Sequence, residues 1–380
     1  MKELNDYLIS VRRHLHMYPE TGFNCVNTSK FIEDELKRFK VDKIEHVGKH
    51  SLVATIFNGK GKTIGLRADF DALNITEETN LEFASKNEGM MHACGHDAHT
   101  SMLLATCKYL AENKDKWQGT VKFIFQEAEE GPDPGGAYYI VNSNLLDDVE
   151  EFFALHVSPG FETGEIAINY GNALAAADTI NVEFEGVGSH SAYPHLGVDP
   201  IVMQADFIMS IQSIVSRKVD PFKTAVVTIG MVKSGTTFNI IPDKAYLSGT
   251  VRTFSNEVRD LIEKKLKVIA QAVATKHDGT CKVEYIRGYD PTVNSIDSVD
   301  KIINSGKEIF DKITILEEAS MGAEDFSRYI NLKKGAIAWL GVKHKDIENY
   351  NIHNSKFNLN EDALIKGCKL FINIVMKGGN

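Results

Sequence analysis

The chain has 380 residues, 43% hydrophobic and 25% charged, with 42 basic against 52 acidic side chains and a net charge of −10. That is an ordinary soluble composition, and at roughly 100–200 residues per domain the length suits two domains. The acidic balance argues against a nucleic-acid or anionic-membrane partner, which needs a basic face, but leaves room for a small anionic substrate that answers to the local field. Five scattered cysteines make a poor disulfide framework and fit a reducing cytosol. The first twenty residues mix charges into their apolar positions and lack a run of signal-peptide length. No stretch approaches the ~18 uninterrupted apolar residues of a membrane span.

Leu4, Leu8, Val11 and Leu15 recur at helical spacing, and Pro19 ends that helix. A second amphipathic helix carries Phe31, Ile32, Leu36 and Phe39. Strands are predicted at 51–57 and 63–68, a helix at 98–113, a strand at 120–125, a helix near 135–143 and a strand at 151–157. This alternation predicts an α/β layer with a largely parallel, helix-flanked sheet. From Asp178 the order becomes strand, helix (198–217), two strands, helix (255–275), strand, which is the ferredoxin-like pattern of a small α+β domain. After Tyr289 the α/β style resumes, with a helix near 297–310, a strand at 336–342 and a last helix at 361–376. The expected division is 1–177 with 290–380 as one domain and 178–289 inserted into it. Two chain crossings, near Asp178 and Tyr289, would let the insert close as a lid.

In an open parallel sheet, ligands sit beyond the carboxyl ends of the strands, and four loops there carry metal-ligand chemistry. The segment MHACGHDAHT brings Cys94, His96 and His99 within six residues just ahead of a helix. A thiolate and an imidazole one residue apart suit zinc, manganese or a related divalent ion. The strand FIFQ runs into Glu129-Glu130, and one glutamate on a metal beside a free one is a layout for activating water. His156 ends another apolar strand, and His353 lies in a polar loop before the last helix. Each has a plainer reading: a buried cysteine beside surface histidines, a solvated acidic loop, a hydrogen-bonded core histidine, a loop histidine. Together, at the ends of successive elements, they form one constellation.

The segments RRHLHMYPE, GLRADFDAL, MHACGHDAHTSML, FQEAEEGPDPGGA, ALHVSP, HSAYPHLGVDP, NIIPDKAYLSGTVRTF, MGAEDFS and HNSKFNLNEDAL, spread over about residues 11–364, carry a family resemblance. The chain resembles the amidohydrolase branch of the aminoacylase/carboxypeptidase-like dinuclear metallopeptidases. That branch includes hippurate hydrolases, N-acetyl-diaminopimelate deacetylases and plant auxin-conjugate hydrolases. The resemblance implies a catalytic α/β domain, a smaller lid domain used for homodimerisation, and hydrolysis of a small N-acyl (acetyl or aryl) amino acid in the cytoplasm. The alternatives are an N-acetyl-diaminopimelate deacetylase of lysine synthesis and, outside catalysis, a metal-binding protein that has lost activity.

By the same resemblance Cys94, His96, Glu130, His156 and His353 are the ligands of two divalent ions, zinc or manganese ahead of nickel or cobalt. Cys94 would bridge them as a thiolate, and Glu129 would be the general base toward the attacking water. Asp69 or Asp71 would orient a ligand imidazole, and the choice between them stays open. His190 matches a histidine that polarises the scissile carbonyl; Asn239 and Arg252 match residues that hold the substrate carboxylate, with a strand-edge ion pair as the plainer reading for Arg252. His195 is left outside the site, and His14 and His16 are read as helix-end packing. The family commonly has proline where this chain has Glu127. Three acids in four positions would either raise the base's pKa or send Glu127 into solvent.

Overall fold

The computed structural model describes residues 1–378. In chain order it begins with α1 (Lys2–Met17), α2 (Val26–Phe39), β1 (Lys43–Val47), β2 (Ser51–Asn58), β3 (Thr63–Asp69), α3 (His96–Glu112), β4 (Gly119–Gln126), α4 (Gly136–Val141), β5 (Glu151–Glu162) and β6 (Glu165–Asn169). After β7 (Gly171–Leu174) come β8 (Ala176–Glu185), β9 (Ser189–His190), α5 (Pro200–Arg217), β10 (Ala225–Ser234), β11 (Ile240–Ile241), β12 (Lys244–Thr253), α6 (Asn256–Lys276) and β13 (Thr280–Arg287). The chain finishes with β14 (Thr292–Asn294), α7 (Ile296–Gly306), β15 (Lys312–Leu316), α8 (Ser327–Leu332), β16 (Gly335–Lys343) and α9 (Leu364–Gly378).

Two compact units result. The larger holds Met1–Ala173, Val293–Ala319 and the chain from Asp325 onward; the smaller holds Leu174–Thr292 with Ser320–Glu324. That last pentapeptide lies outside the stretch 178–289. It joins the smaller unit because the Ala175 N–H donates to the carbonyls of Ser320 (3.1 Å) and Gly322 (2.9 Å).

The larger unit is built on an eight-stranded sheet in the order β1-β2-β4-β3-β5-β16-β6-β15. Its centre, β4-β3-β5-β16, is parallel. Antiparallel pairs occur at β1-β2, β2-β4 and β16-β6. Every residue of β3 is buried, as expected of a strand covered on both faces. The α1 stripe Leu4, Leu8, Val11 and Leu15 is buried against this core, and the helix stops at Met17, ahead of Pro19. β1, β6 and β15 are runs of five residues too short for their own pattern to signal a strand; pairing with their neighbours makes them strands.

The smaller unit is a four-stranded antiparallel sheet, β10-β12-β8-β13, with α5 and α6 packed on it. This is the ferredoxin-like arrangement. Asp199 caps α5 by accepting from Ile201 N, with Pro200 at the first helical position, and Ser255 caps α6 by accepting from Val258 N. Among the described residues no helix is long and apolar enough to cross a membrane.

Candidate metal centre

Because β4, β3 and β5 run parallel, their carboxyl ends open on the same side. β3 ends at Asp69 and is followed by Asp71; β4 ends at Gln126 and leads into Glu127–Glu130; His156 stands in β5. Cys94 and His96 flank Gly95 at the start of α3. Gly95 sits at φ +87, and a Cβ there would lie 2.3 Å from Val157 Cγ2. Only glycine fits this turn, which brings the thiol and the imidazole to the strand ends together.

The sulfur is the hub. Cys94 Sγ lies 3.4 Å from His156 Nε2 and 3.3 Å from His353 Nε2. His353 Nε2 is also 3.0 Å from Glu130 Oε1. Three sets of donor atoms, each within 4.8 Å of one another, therefore overlap: Cys94, His96 and His156; Cys94, Glu130 and His353; His96, Glu129 and Glu130. Two of these residues' neighbourhoods are held in strained backbone, Ala128 at φ 53 beside Glu129 and His353 itself at φ 65, the latter secured by its N–H to Ala93 O at 2.7 Å.

The donor set fits divalent metal on its own chemistry. His96 is 0% exposed and neither ring nitrogen makes a hydrogen bond; its neighbours are the carboxylates of Asp71, 3.5 Å from Nδ1, and Asp69, 3.7 Å from Nε2, an anionic pocket that suits a bound cation. His156 is pushed down to about 4 by burial, and its Nδ1 donates to Val157 O at 2.8 Å, which leaves the Nε2 lone pair facing the sulfur. Burial pushes the Cys94 thiol well up, and Glu130 and Glu129 add to this. A thiolate at that place needs a cation beside it. Burial also raises Glu130, but His353 and His96 outweigh it and hold the carboxyl below its ordinary value.

The two aspartates divide their work. Asp71 accepts the backbone N–H of Glu129 at 2.9 Å and of Glu130 at 3.1 Å, and its Oδ1 is 3.5 Å from His96 Nδ1. Asp69 takes His99 Nδ1 at 2.6 Å and Arg67 Nη1 at 2.7 Å. His99, counted among the donors of its segment, has both nitrogens engaged, since its Nε2 accepts from Val157 N at 2.9 Å. It is neutral, pushed down to about 4 by burial, and it braces β5 rather than offering a lone pair.

Two expectations are corrected. Glu127 is not in solvent: it is 0% exposed, and its Oε1 accepts from the amides of Lys49 and His50, both at 2.8 Å, and of Ser51 at 3.3 Å. Loop amides satisfy the carboxylate and draw it away from the acid pair. His16 is not helix-end packing either. It is buried with Nδ1 2.7 Å from Asp97 Oδ2 and Nε2 3.2 Å from Glu77 Oε1, while Arg12 Nε reaches the same Asp97 oxygen at 2.9 Å. Asp97, in the first turn of α3, is thus pinned by two residues of α1, a role its spacing did not signal. His14 does pack, stacked on Phe31 at 4.4 Å.

The remaining candidates stand on the smaller unit. His190 is exposed, and its Nδ1 accepts from Ala192 N at 3.0 Å, which leaves Nε2 as the nitrogen able to donate. Asn239 is exposed and its carbonyl accepts from Ser191 N at 3.1 Å. Arg252 Nη1 donates to Thr250 Oγ1 and, at 3.1 Å, to Val251 O, neither of them a carboxylate.

Residues 65–377 match the family model described as Peptidase family M20/M25/M40. The chain belongs to peptidase family M20. Thermostable carboxypeptidase 1 of Saccharolobus solfataricus is 35% identical over 385 residues, covering 100% of this chain and 97% of its own. An N-acetyldiaminopimelate deacetylase of Listeria monocytogenes is 36% identical, covering 95% and 96%. The crystal structure of a Bacillus subtilis dinuclear metal-binding peptidase of family M20 is 31% identical, with a TM-score of 0.85 over 99% of each chain. This M20 chain is accordingly a hydrolase of amide bonds.

Proposed function

We propose that the protein hydrolyses N-acyl amino acids, with Glu129 as general base and Cys94, His96, Glu130, His156 and His353 as the ligands of two divalent ions. The observation that carries this is the position of Cys94 Sγ, 3.4 Å from one ligand imidazole and 3.3 Å from another, as a member of two donor sets. Thiolate and imidazole favour zinc, and the Glu130 carboxylate suits manganese, with nickel and cobalt as alternatives. Bound ions would supply Lewis acidity, polarising the amide carbonyl and lowering the pKa of water.

The chain's own groups do the rest. Glu129 takes one proton from the attacking water as the new C–O bond forms, and delivers it to the leaving nitrogen as the C–N bond breaks. Both aspartates lie near His96, Asp71 3.5 Å from Nδ1 and Asp69 3.7 Å from Nε2. Asp71 also fixes the backbone of both glutamates while Asp69 is taken up by His99 and Arg67, which favours Asp71 as the supporting acid. On the smaller unit, His190 offers its Nε2 proton to a carbonyl oxygen, and Asn239 and Arg252 hold the substrate carboxylate.

This reading includes a cytoplasmic homodimer associating through the smaller unit as a mobile lid. Five unpaired cysteines support the compartment. Exposed Met209, Val232 and Phe238 support the interface. Light scattering tests the dimer.

The experiment on the chemistry is Glu129→Gln in metal-loaded enzyme. Turnover is expected to vanish while metal content stays; wild-type rates in that variant would refute the base. A graded series of acetyl, benzoyl and long-chain acyl amino acids, scored by amine release, sets the acyl preference. N-acetyl-diaminopimelate deacetylation is the second reading, supported by the Listeria relative; a distinct preference for that substrate would promote it.

A further inference from the structure

Glu130 borders more than the metal cluster. It also lines a cavity of about 450 Å³ whose walls include Phe23, Asn24, Lys49, Asn74 and Pro132. That volume falls in the range of small-ligand sites, about 300–1,000 Å³. Lys49 is the one basic residue of this lining and Glu130 the one acid. The Lys49 ammonium lies 5.6 Å from the centre of the Phe23 ring, which steadies it on the wall.

The turn that carries Lys49 is fixed from behind by Glu127. The buried carboxylate accepts the amides of Lys49, His50 and Ser51, and the Glu127 N–H donates back to Ser51 Oγ at 3.1 Å. Gly48, at φ +66, lets the turn close on it, since a Cβ there would be 2.9 Å from Glu127 Oε1. A buried carboxylate is costly, and this one spends its acceptors on a single turn. With Glu130 committed to metal, the cavity presents a cation and two carboxamides, which is chemistry for an anion.

We propose that this cavity is a subsite for a carboxylate of the substrate, with Lys49 as the specificity-determining residue and Glu127 as the residue that positions it. The proposal rests on the reading of the site as an amide hydrolase. Two sources supply such a carboxylate: an acidic side chain on the amino acid, or a dicarboxylic acyl group.

The test compares kcat/KM for N-acetyl-glutamate against N-acetyl-glutamine, and for N-glutaryl-leucine against N-pentanoyl-leucine. One pair should favour its acidic member by about tenfold, the size of a charge-assisted hydrogen bond. Lys49→Met should bring that ratio near one and Lys49→Glu should invert it. Glu127→Ala should lower the ratio through KM with metal content retained, and Glu127→Gln, which keeps the acceptor oxygen, should preserve most of it. Equilibrium binding of the two glutamate-series compounds and the two leucine-series compounds to Glu129→Gln should show the same order. Hydrolysis and binding without acidic preference in either pair overturns the subsite alone, as does a preference that survives Lys49→Met. No turnover of any compound, with the binding preference intact, overturns the hydrolase reading and leaves the subsite standing.

Discussion

Asp71 Oδ1 accepts the backbone N–H of Glu129 at 2.9 Å. The same carboxylate takes Glu130 N through its other oxygen, so one side chain sets the conformation of the whole acid pair. Asn at this position has a single acceptor oxygen and strands one of the two amides. Asp71→Asn is therefore expected to reduce kcat/KM and metal affinity, each by roughly 10–100-fold. Asp69→Asn, which breaks contacts to His99 and Arg67, should instead lower Tm with a smaller loss of rate. Steady-state kinetics beside metal titration checks both.

Cys94→Ser removes the atom shared by two donor sets. A serine hydroxyl does not ionise as a thiol does beside a cation. Metal at a hundredfold excess over Kd stabilises a folded protein by about 2.7 kcal/mol. Wild type should show this stabilisation as a higher Tm on loading, and Cys94→Ser should lose most of it, as thermal unfolding with and without chelator will read.

Gly95→Ala places a Cβ 2.3 Å from Val157 Cγ2 at φ +87. The backbone strain costs about 1–3 kcal/mol, and relief of it shifts the residues on either side, Cys94 and His96. Denaturant unfolding should show the stability loss, and the metal affinity should fall in the same variant.

Burial and Arg12 press the pKa of His16 down, but Asp97 and Glu77 outweigh them and hold it above its ordinary value. A pKa raised in the folded state stabilises fully below the unfolded value and fades as pH rises through the folded one. The Tm deficit of His16→Gln relative to wild type should thus be larger near about pH 5.5 than near about pH 9. An equal deficit at both would mean that His16 acts by packing.

The sequence by itself determined the order of the longer helices and strands, the ferredoxin-like insert and the residue types of the candidate metal centre. Those are local facts: hydrophobic period, a Cys-Gly-His turn, an acid pair at a strand end. The tertiary structure alone decided which acid serves which partner. Asp71 and Glu129 are 58 residues apart, as are His99 and Val157, and no spacing tells a carboxylate which amide it will meet when parallel strands align. The same holds for Glu127, whose placement the sequence left open between the acid pair and solvent, and whose distant partners at 49–51 make it a buried anchor. The short strands β1, β6 and β15 belong to that class too, since a five-residue run pairs where its neighbours leave an edge. Periodicity reports on one face of one element, whereas hydrogen-bond partners are chosen by the packing of several.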